Sequence, residues 1–186
     1  MAYRHYRDGI LMTANVLTFL LFLGVNICTV IFPQLVYGDI KQTYITPTIW
    51  AFLVWPVIHI LLLSTVIYQF ASSRGKAVIV DGVSWEFPLI NILYAILITS
   101  RVSHHYTAAF AAAVFIVYII GNISWTLKRD YLPLSEADHL FVHLAFSALQ
   151  AWTAFIGYLV AFEAFGVDAT EEPNGIWTNV FVFLAL

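Results

Sequence analysis

The chain has 186 residues, of which 61% are hydrophobic and only 10% are charged, a balance far outside that of ordinary soluble folds. The formal net charge is −3 and the eight Lys and Arg are scattered, which excludes a basic face for binding nucleic acid. We therefore expect an integral membrane protein of the all-α class, a polytopic transmembrane helix bundle that forms a single domain over residues 1–186.

The apolar segments predict where the chain crosses the bilayer. A helix needs about 20 consecutive apolar residues to cross the hydrocarbon layer, because only intrahelical hydrogen bonds satisfy the backbone there. Five segments reach that length, and a shorter sixth ends the chain. The predicted spans are 9–32, 47–70, 83–100, 106–127 and 137–165, with a partial sixth at 175–186.

Local signals mark the starts of three spans. Thr46 followed by Pro47 predicts an N-cap with proline at the first helical position of the second span. Pro88 has to fall in the first turns of the third span, where a missing N–H is tolerated. Ser135 with Asp138 three residues later predicts a capping box at the start of the fifth span. The loop 37–45 between the first two spans is either a lid over one end of the bundle or a plain connector.

Loop charges predict the orientation in the membrane. Six basic residues fall on the side of the N-terminus and two on the opposite side. The six are Arg4, Arg7, Arg74, Lys76, Lys128 and Arg129, and the two are Lys41 and Arg101. Since positive loops stay on the cytoplasmic side, we expect the N-terminus in the cytoplasm.

Polar residues inside the spans predict which helix faces turn inward, because such groups are costly in lipid. They recur at helical spacing on four of the spans. The stripes are Asn15, Thr18, Asn26 and Thr29; Trp55 and His59; Tyr118, Asn122 and Trp125; and His139, His143, Ser147 and Gln150. An inward lining of this kind suits a planar ligand with polar rims, and hydrogen bonding between helices is the other use of such stripes.

Histidines give the one weak metal signal. His139 and His143 share a helical face, and imidazole nitrogens ligate metals and haem iron. His59 and His143 lie deeper in their spans than His139. A metal site using these three histidines is therefore a weaker alternative to a site without metal.

Motifs for catalysis are absent from the sequence. It contains no Gly-x-Ser-x-Gly, phosphate-binding glycine loop, paired thiols or His-Glu-x-x-His. Glu163 is the only acid well inside a predicted span, and we interpret it as an interfacial carboxylate rather than a functional ionisable group. The sequence thus favours binding over enzyme activity.

The second span carries a family signature. It reads Ile45-Thr-Pro-Thr-Ile-Trp-Ala-Phe-Leu-Val-Trp-Pro-Val-Ile-His-Ile-Leu-Leu-Leu63, which resembles the motif of the translocator protein or tryptophan-rich sensory protein family (TspO/MBR). Asn91 and Tyr94 match that family's third-helix Asn-x-x-Trp segment, with Tyr in place of Trp, and the segment 149–157 around Trp152 is similar to its fifth helix. His59 stands where the family usually has Tyr, and the partial sixth span exceeds the family's five helices, so the chain resembles a divergent member.

The resemblance implies a five-helix pocket that binds porphyrins and other hydrophobic ligands. Combined with the polar and aromatic pattern, it predicts a set of ligand-binding residues: Trp50, Trp55, His59, Asn91, Tyr94, His143 and Trp152. We therefore expect a membrane-embedded binding or sensory protein, a receptor for a planar hydrophobic ligand such as a porphyrin or another tetrapyrrole.

Two other functions stay open at this point. One is a haem-carrying electron-transfer protein in which His59 pairs with His143 or His139 as axial ligands. The other is an accessory subunit of a membrane complex. The expected partners are the lipid bilayer and a hydrophobic small molecule, with a homodimer as a further possibility, and porphyrin or haem is the only candidate cofactor.

Overall fold

The computed structural model describes residues 2–32 and 53–166, and every regular element in these ranges is helical. This confirms the all-α class. The helices are α1 (Ala2–Ile31), α2 (Val54–Ala71), α3 (Ser73–Val83), α4 (Glu86–Val102), α5 (Tyr106–Asp130) and α6 (Glu136–Phe165).

Among the described residues, α1, α2, α5 and α6 are each long and apolar enough to cross a membrane. The pair α3 and α4, which is bent by 65°, is a fifth candidate if it counts as one span. The predicted bundle of transmembrane helices is thereby confirmed. The partial sixth span at 175–186, the N-cap at Thr46 and the loop 37–45 lie outside the described residues.

The helices pack as a closed ring around a common interior. Helix α1 contacts α2 and α4, α4 contacts α5, α5 contacts α6, and α6 returns to α2. The outward faces are apolar, as at Leu17, Ile60 and Phe115, which are each about 60% exposed. Apolar side chains on the outer faces are favourable in contact with lipid and unfavourable in contact with water, as the hydrophobic composition predicts.

Helix α3 was not expected from the sequence. The hydroxyl of Ser72 caps it by accepting from the backbone N–H groups of Arg74 and Gly75, each at 3.2 Å. The helix continues as a π-helical turn, and the sharp bend follows it. The third span therefore begins at Glu86 rather than at 83, with Pro88 in its first turn as predicted.

The polar stripe predicted on the fifth span is wrong in part. Ser135 does cap α6 by accepting from the N–H of Asp138 at 3.1 Å, but residues 139–144 form a π-helical segment. One extra residue in a helix turns every later side chain by about 100°. Because the prediction assumed an unbroken period, it placed Ser147 and Gln150 inside, and both are exposed.

The stripe predicted on the fourth span is also wrong, since Tyr118 and Trp125 of α5 are about two-thirds exposed. Small residues such as Ala109 and Ala113 occupy the inward face instead, and they let α5 approach its neighbours closely. On the outer side the hydroxyl of Ser124 donates to Gln150 Oε1 at 2.8 Å, which gives these lipid-level polar groups a partner.

Ion pairs connect α1 with α3 at the end of the bundle where α1 starts. Lys76 Nζ lies 3.0 Å from a carboxylate oxygen of Asp8, and Arg7 lies 3.6 Å from Asp81. Two of the six basic residues that the loop charges assign to one side, Arg7 and Lys76, thus lie at this end of the bundle. The placement of that end in the cytoplasm stays a prediction.

A further ion pair links α4 and α6 at the opposite end of the bundle. Arg101 donates to both carboxylate oxygens of Glu163, at 2.8 and 2.5 Å, and the Glu163 side chain is 2% exposed. Glu163, which the sequence suggests is an interfacial carboxylate, is thus buried within the protein, and the bidentate geometry compensates for this burial.

A substitution at Gly75 tests the packing of α3 on α2. A Cβ at this position would lie 2.4 Å from the backbone oxygen of Tyr68, so Gly75→Ala should lower the free energy of unfolding by about 1–3 kcal/mol through overpacking. Gly121→Ala is the matched control, because no atom lies within 4 Å of a Cβ there. Thermal unfolding in detergent micelles measures both, and equal midpoints for the two variants would contradict this packing.

The Arg101–Glu163 pair yields a second prediction. Arg101→Met removes the guanidinium from a buried carboxylate and should destabilise the protein by about 3–5 kcal/mol, whereas Arg101→Met combined with Glu163→Leu should recover most of that loss. Arg129→Met is the control, because its pair with Asp130 is exposed and such pairs contribute little. A double variant no more stable in thermal unfolding than Arg101→Met would contradict the buried ion pair.

Candidate functional site

Five aromatic side chains from four helices meet in the middle of the bundle, and we call them the aromatic cluster: Phe22 of α1, Trp55 and His59 of α2, Tyr94 of α4 and Trp152 of α6. Four of the five were predicted as ligand-binding residues from the sequence. Their convergence follows from the ring of helices, since each belongs to the inward stripe of its own helix.

Stacking orders the centre of the aromatic cluster. The ring of Phe22 stacks on His59 with centroids 4.8 Å apart and on Tyr94 with centroids 4.9 Å apart. Phe22 and Tyr94 are fully buried. Both distances lie in the range of favourable offset aromatic pairs, so these three rings form one continuous stack across α1, α2 and α4.

Trp55 contacts every other member of the aromatic cluster. Its ring centroid lies 5.2–5.6 Å from those of Phe22, His59, Tyr94 and Trp152. It meets Phe22, Tyr94 and Trp152 edge to face, and it is only half-buried. Trp55 is therefore the member from which the cluster can be reached with the least disturbance of the core.

Hydrogen bonds hold the polar members of this region. The hydroxyl of Tyr94 is bonded to that of Thr153 on α6, and His59 Nδ1 lies 2.8 Å from the carbonyl oxygen of Trp55. One turn before Tyr94 in α4, the buried Asn91 donates a hydrogen bond from its Nδ2 to the hydroxyl of Thr18 on α1, at 3.4 Å.

Buried atoms without hydrogen-bond partners mark the same region. They include His59 Nε2 and the side-chain oxygen of Asn91. A buried polar atom without a partner costs about 1–3 kcal/mol, so native structures rarely keep one without a reason. These two atoms are what the site offers to a polar group on a ligand.

His143 and His139 lie away from the aromatic cluster. His143 Nε2 is 2.9 Å from the carbonyl oxygen of Tyr131, and His139 is exposed. The segment of α6 that carries both histidines contacts α2 at Thr65, whose hydroxyl donates to the carbonyl oxygen of Phe141. Thr65 is six residues from His59, or about 9 Å along α2. The described residues thus hold no preformed axial pair, and no group of three or more His, Cys, Asp and Glu suited to a metal. Trp50 lies outside the described residues.

An open groove of about 280 Å³ lies on the surface beyond the aromatic cluster, toward the end of α1. It is lined by Cys28, Thr29, Phe32, Ile98, Thr99, Val102 and Ser103. Thr29 and Ile98 are seven and four residues beyond Phe22 and Tyr94, which corresponds to about 6–10 Å along the helices. The hydroxyls of Thr29 and Thr99 donate to backbone carbonyls, so these side chains present methyl groups and the groove is mainly apolar.

Sequence reasoning missed Phe22 and Thr153. Phe22 follows the polar Thr18 by four residues, so the inward stripe of the first span pointed to it, but an apolar residue in an apolar helix carries no signal of its own. Thr153 follows Trp152 directly, and the polar stripe predicted on the fifth span did not include it. Both are buried.

The comparisons with known proteins are consistent with this arrangement of helices. The family model described as TSPO-like protein matches residues 11–186, which is most of the chain. No curated protein and no solved structure matches the chain.

Proposed function

The chain belongs to the TSPO-like protein family, and from that membership we propose that it is a membrane-embedded binding or sensory protein whose ligand is planar and hydrophobic. Its apolar helices and its family make it an integral membrane protein, and the family suggests ligand binding or sensing. The aromatic cluster is the proposed site, and a porphyrin or another tetrapyrrole is the first candidate ligand.

The single observation that carries the proposal is the convergence of aromatic rings from α1, α2, α4 and α6 on one point inside the bundle. Aromatic faces bind planar ligands by stacking, and a few polar atoms then fix the orientation. Trp55, Tyr94 and Trp152 supply ring surface, while His59 and Asn91 supply polar atoms without partners.

Entry of a ligand requires a change in the aromatic cluster, because its rings are in mutual contact. Trp55 is the member to move, since it is half-buried and stands edge-on to three of the others. Rotation of its side chain would open a slot bounded by Phe22, Tyr94 and Trp152. The open apolar groove next to Thr29 gives an incoming ring system space beside α1 and α4.

Replacing Trp152 tests the site. If its indole supplies one stacking face, Trp152→Ala should weaken binding of protoporphyrin by about 1–3 kcal/mol. Trp125→Ala is the matched control, because that indole is two-thirds exposed on the outer face of α5 and should leave the affinity unchanged. Quenching of intrinsic tryptophan fluorescence in detergent micelles gives the affinities, and thermal unfolding confirms that each variant is folded.

An equal loss of affinity in the two variants, or no loss in Trp152→Ala, would refute the aromatic cluster as the site. The absorption spectrum of the purified protein addresses the haem alternative in the same preparation. A strong endogenous Soret band that disappears in His59→Phe would favour a cytochrome over a binding protein.

A further inference from the structure

The direction of the hydrogen bonds in the interior restricts what the ligand can be. Four polar side chains in or near the aromatic cluster have a partner that can only accept, or whose own proton is already used; they are His59, Asn91, Asn15 and Tyr94. The orientation of each group can therefore be fixed from its partners rather than assumed.

His59 is the first case. Its Nδ1 lies 2.8 Å from the carbonyl oxygen of Trp55, and because a carbonyl cannot donate, Nδ1 must carry the proton. A charged imidazole is disfavoured in this buried, ring-lined place. In the neutral ring, Nε2 is then an acceptor, and it is buried without a partner.

Asn91 is the second case. The hydroxyl of Thr18 donates to the carbonyl oxygen of Ala14 at 2.8 Å, so toward Asn91 it can only accept. The amide nitrogen of Asn91 must therefore face Thr18, at 3.4 Å. Its oxygen points elsewhere, and it is buried without a partner.

Asn15 repeats this pattern further along α1, about 10 Å from Phe22 along the helix and thus beyond the aromatic cluster itself. Gln69 donates through Nε2 to the carbonyl oxygen of Met12 at 3.4 Å, which turns Gln69 Oε1 toward Asn15. The amide nitrogen of Asn15 donates to that oxygen at 2.9 Å, and the Asn15 oxygen is left buried and unpaired.

Tyr94 completes the set. The hydroxyl proton of Thr153 goes to the carbonyl oxygen of Leu149 at 2.6 Å, so Tyr94 must be the donor in its bond to Thr153. The remaining capacity of the Tyr94 oxygen is as an acceptor. All four groups, on three different helices, thus offer acceptors and no proton.

We propose that the part of the ligand seated in the aromatic cluster is an uncharged planar ring system that donates N–H or O–H hydrogen bonds to His59 Nε2 and to the side-chain oxygen of Asn91. The inference rests on the proposed function and names the chemical class that this site selects. His59 is itself a member of the stack, and Asn91 is three residues from Tyr94, about 4.5 Å along α4. A ring system seated against these rings lies within reach of both acceptors.

The same four groups disfavour charged ligands. A carboxylate brings further acceptors and would leave every atom of this set unpaired, at a large desolvation cost. A cation would meet acceptors, but Asn15, Asn91 and Tyr94 carry no compensating negative charge. An anionic substituent, such as the propionate of a porphyrin, is expected to lie outside the aromatic cluster.

Three ligands of nearly equal shape test the inference on the full chain in detergent micelles. Carbazole carries an N–H on a planar three-ring frame, dibenzofuran replaces it with an oxygen, and N-methylcarbazole blocks it. Calorimetric titration with empty micelles subtracted should give carbazole about three- to tenfold tighter binding than either analogue, the effect of one hydrogen bond.

The variants His59→Phe and Asn91→Leu remove one acceptor each while keeping a side chain of similar size. The preference for carbazole should shrink in at least one of them, with dibenzofuran affinity kept or raised. Equal affinities of the three compounds for the unaltered protein would overturn the inference while leaving the proposed function standing. Absence of binding by all three would overturn the inference too, and if protoporphyrin also failed to bind, the proposed function would fall with it.

Discussion

A bilayer offers no hydrogen-bond partners, and this constraint orders the whole structure. Each buried polar side chain has to find its partner on a neighbouring helix or on its own backbone. Asn15 with Gln69 joins α1 to α2, Thr18 with Asn91 joins α1 to α4, and Tyr94 with Thr153 joins α4 to α6. These bonds lie at successive levels of the bundle and fix the rotation of the helices about their axes. The aromatic cluster is the consequence, because the same rotations bring its five rings together.

The hydroxyl and amide protons of Thr18, Asn91, Tyr94 and Thr153 are consumed by backbone carbonyls or by one another, so these groups offer acceptors beside aromatic faces. That combination links the stability of the bundle to its proposed use. The fold tolerates the cost of unpaired atoms such as His59 Nε2 if a ligand or an ordered water supplies the missing donor. Trp55, half-buried and in contact with every other ring of the aromatic cluster, connects this interior to the outside.

The sequence was sufficient for the class of fold, the positions of the spans in the described residues and four of the five members of the aromatic cluster. Length and apolarity determine the first two. The four members of the aromatic cluster were predicted from the family resemblance together with the polar and aromatic pattern of the spans. It failed where geometry departs from a regular helix: the π-helical segment at 139–144 rotated Ser147 and Gln150 outward, and the bend before Glu86 created α3. It also failed for the Arg101–Glu163 pair, because a contact between distant residues leaves no local pattern in the chain.

The most direct measurement is an experimental structure of the full chain in a lipid nanodisc with protoporphyrin bound. Density for the ring system is expected between α1, α2, α4 and α6, with Trp55 rotated away from Phe22 and Tyr94. Density only on the outer face of α5, with the five rings still in mutual contact, would contradict binding at the aromatic cluster.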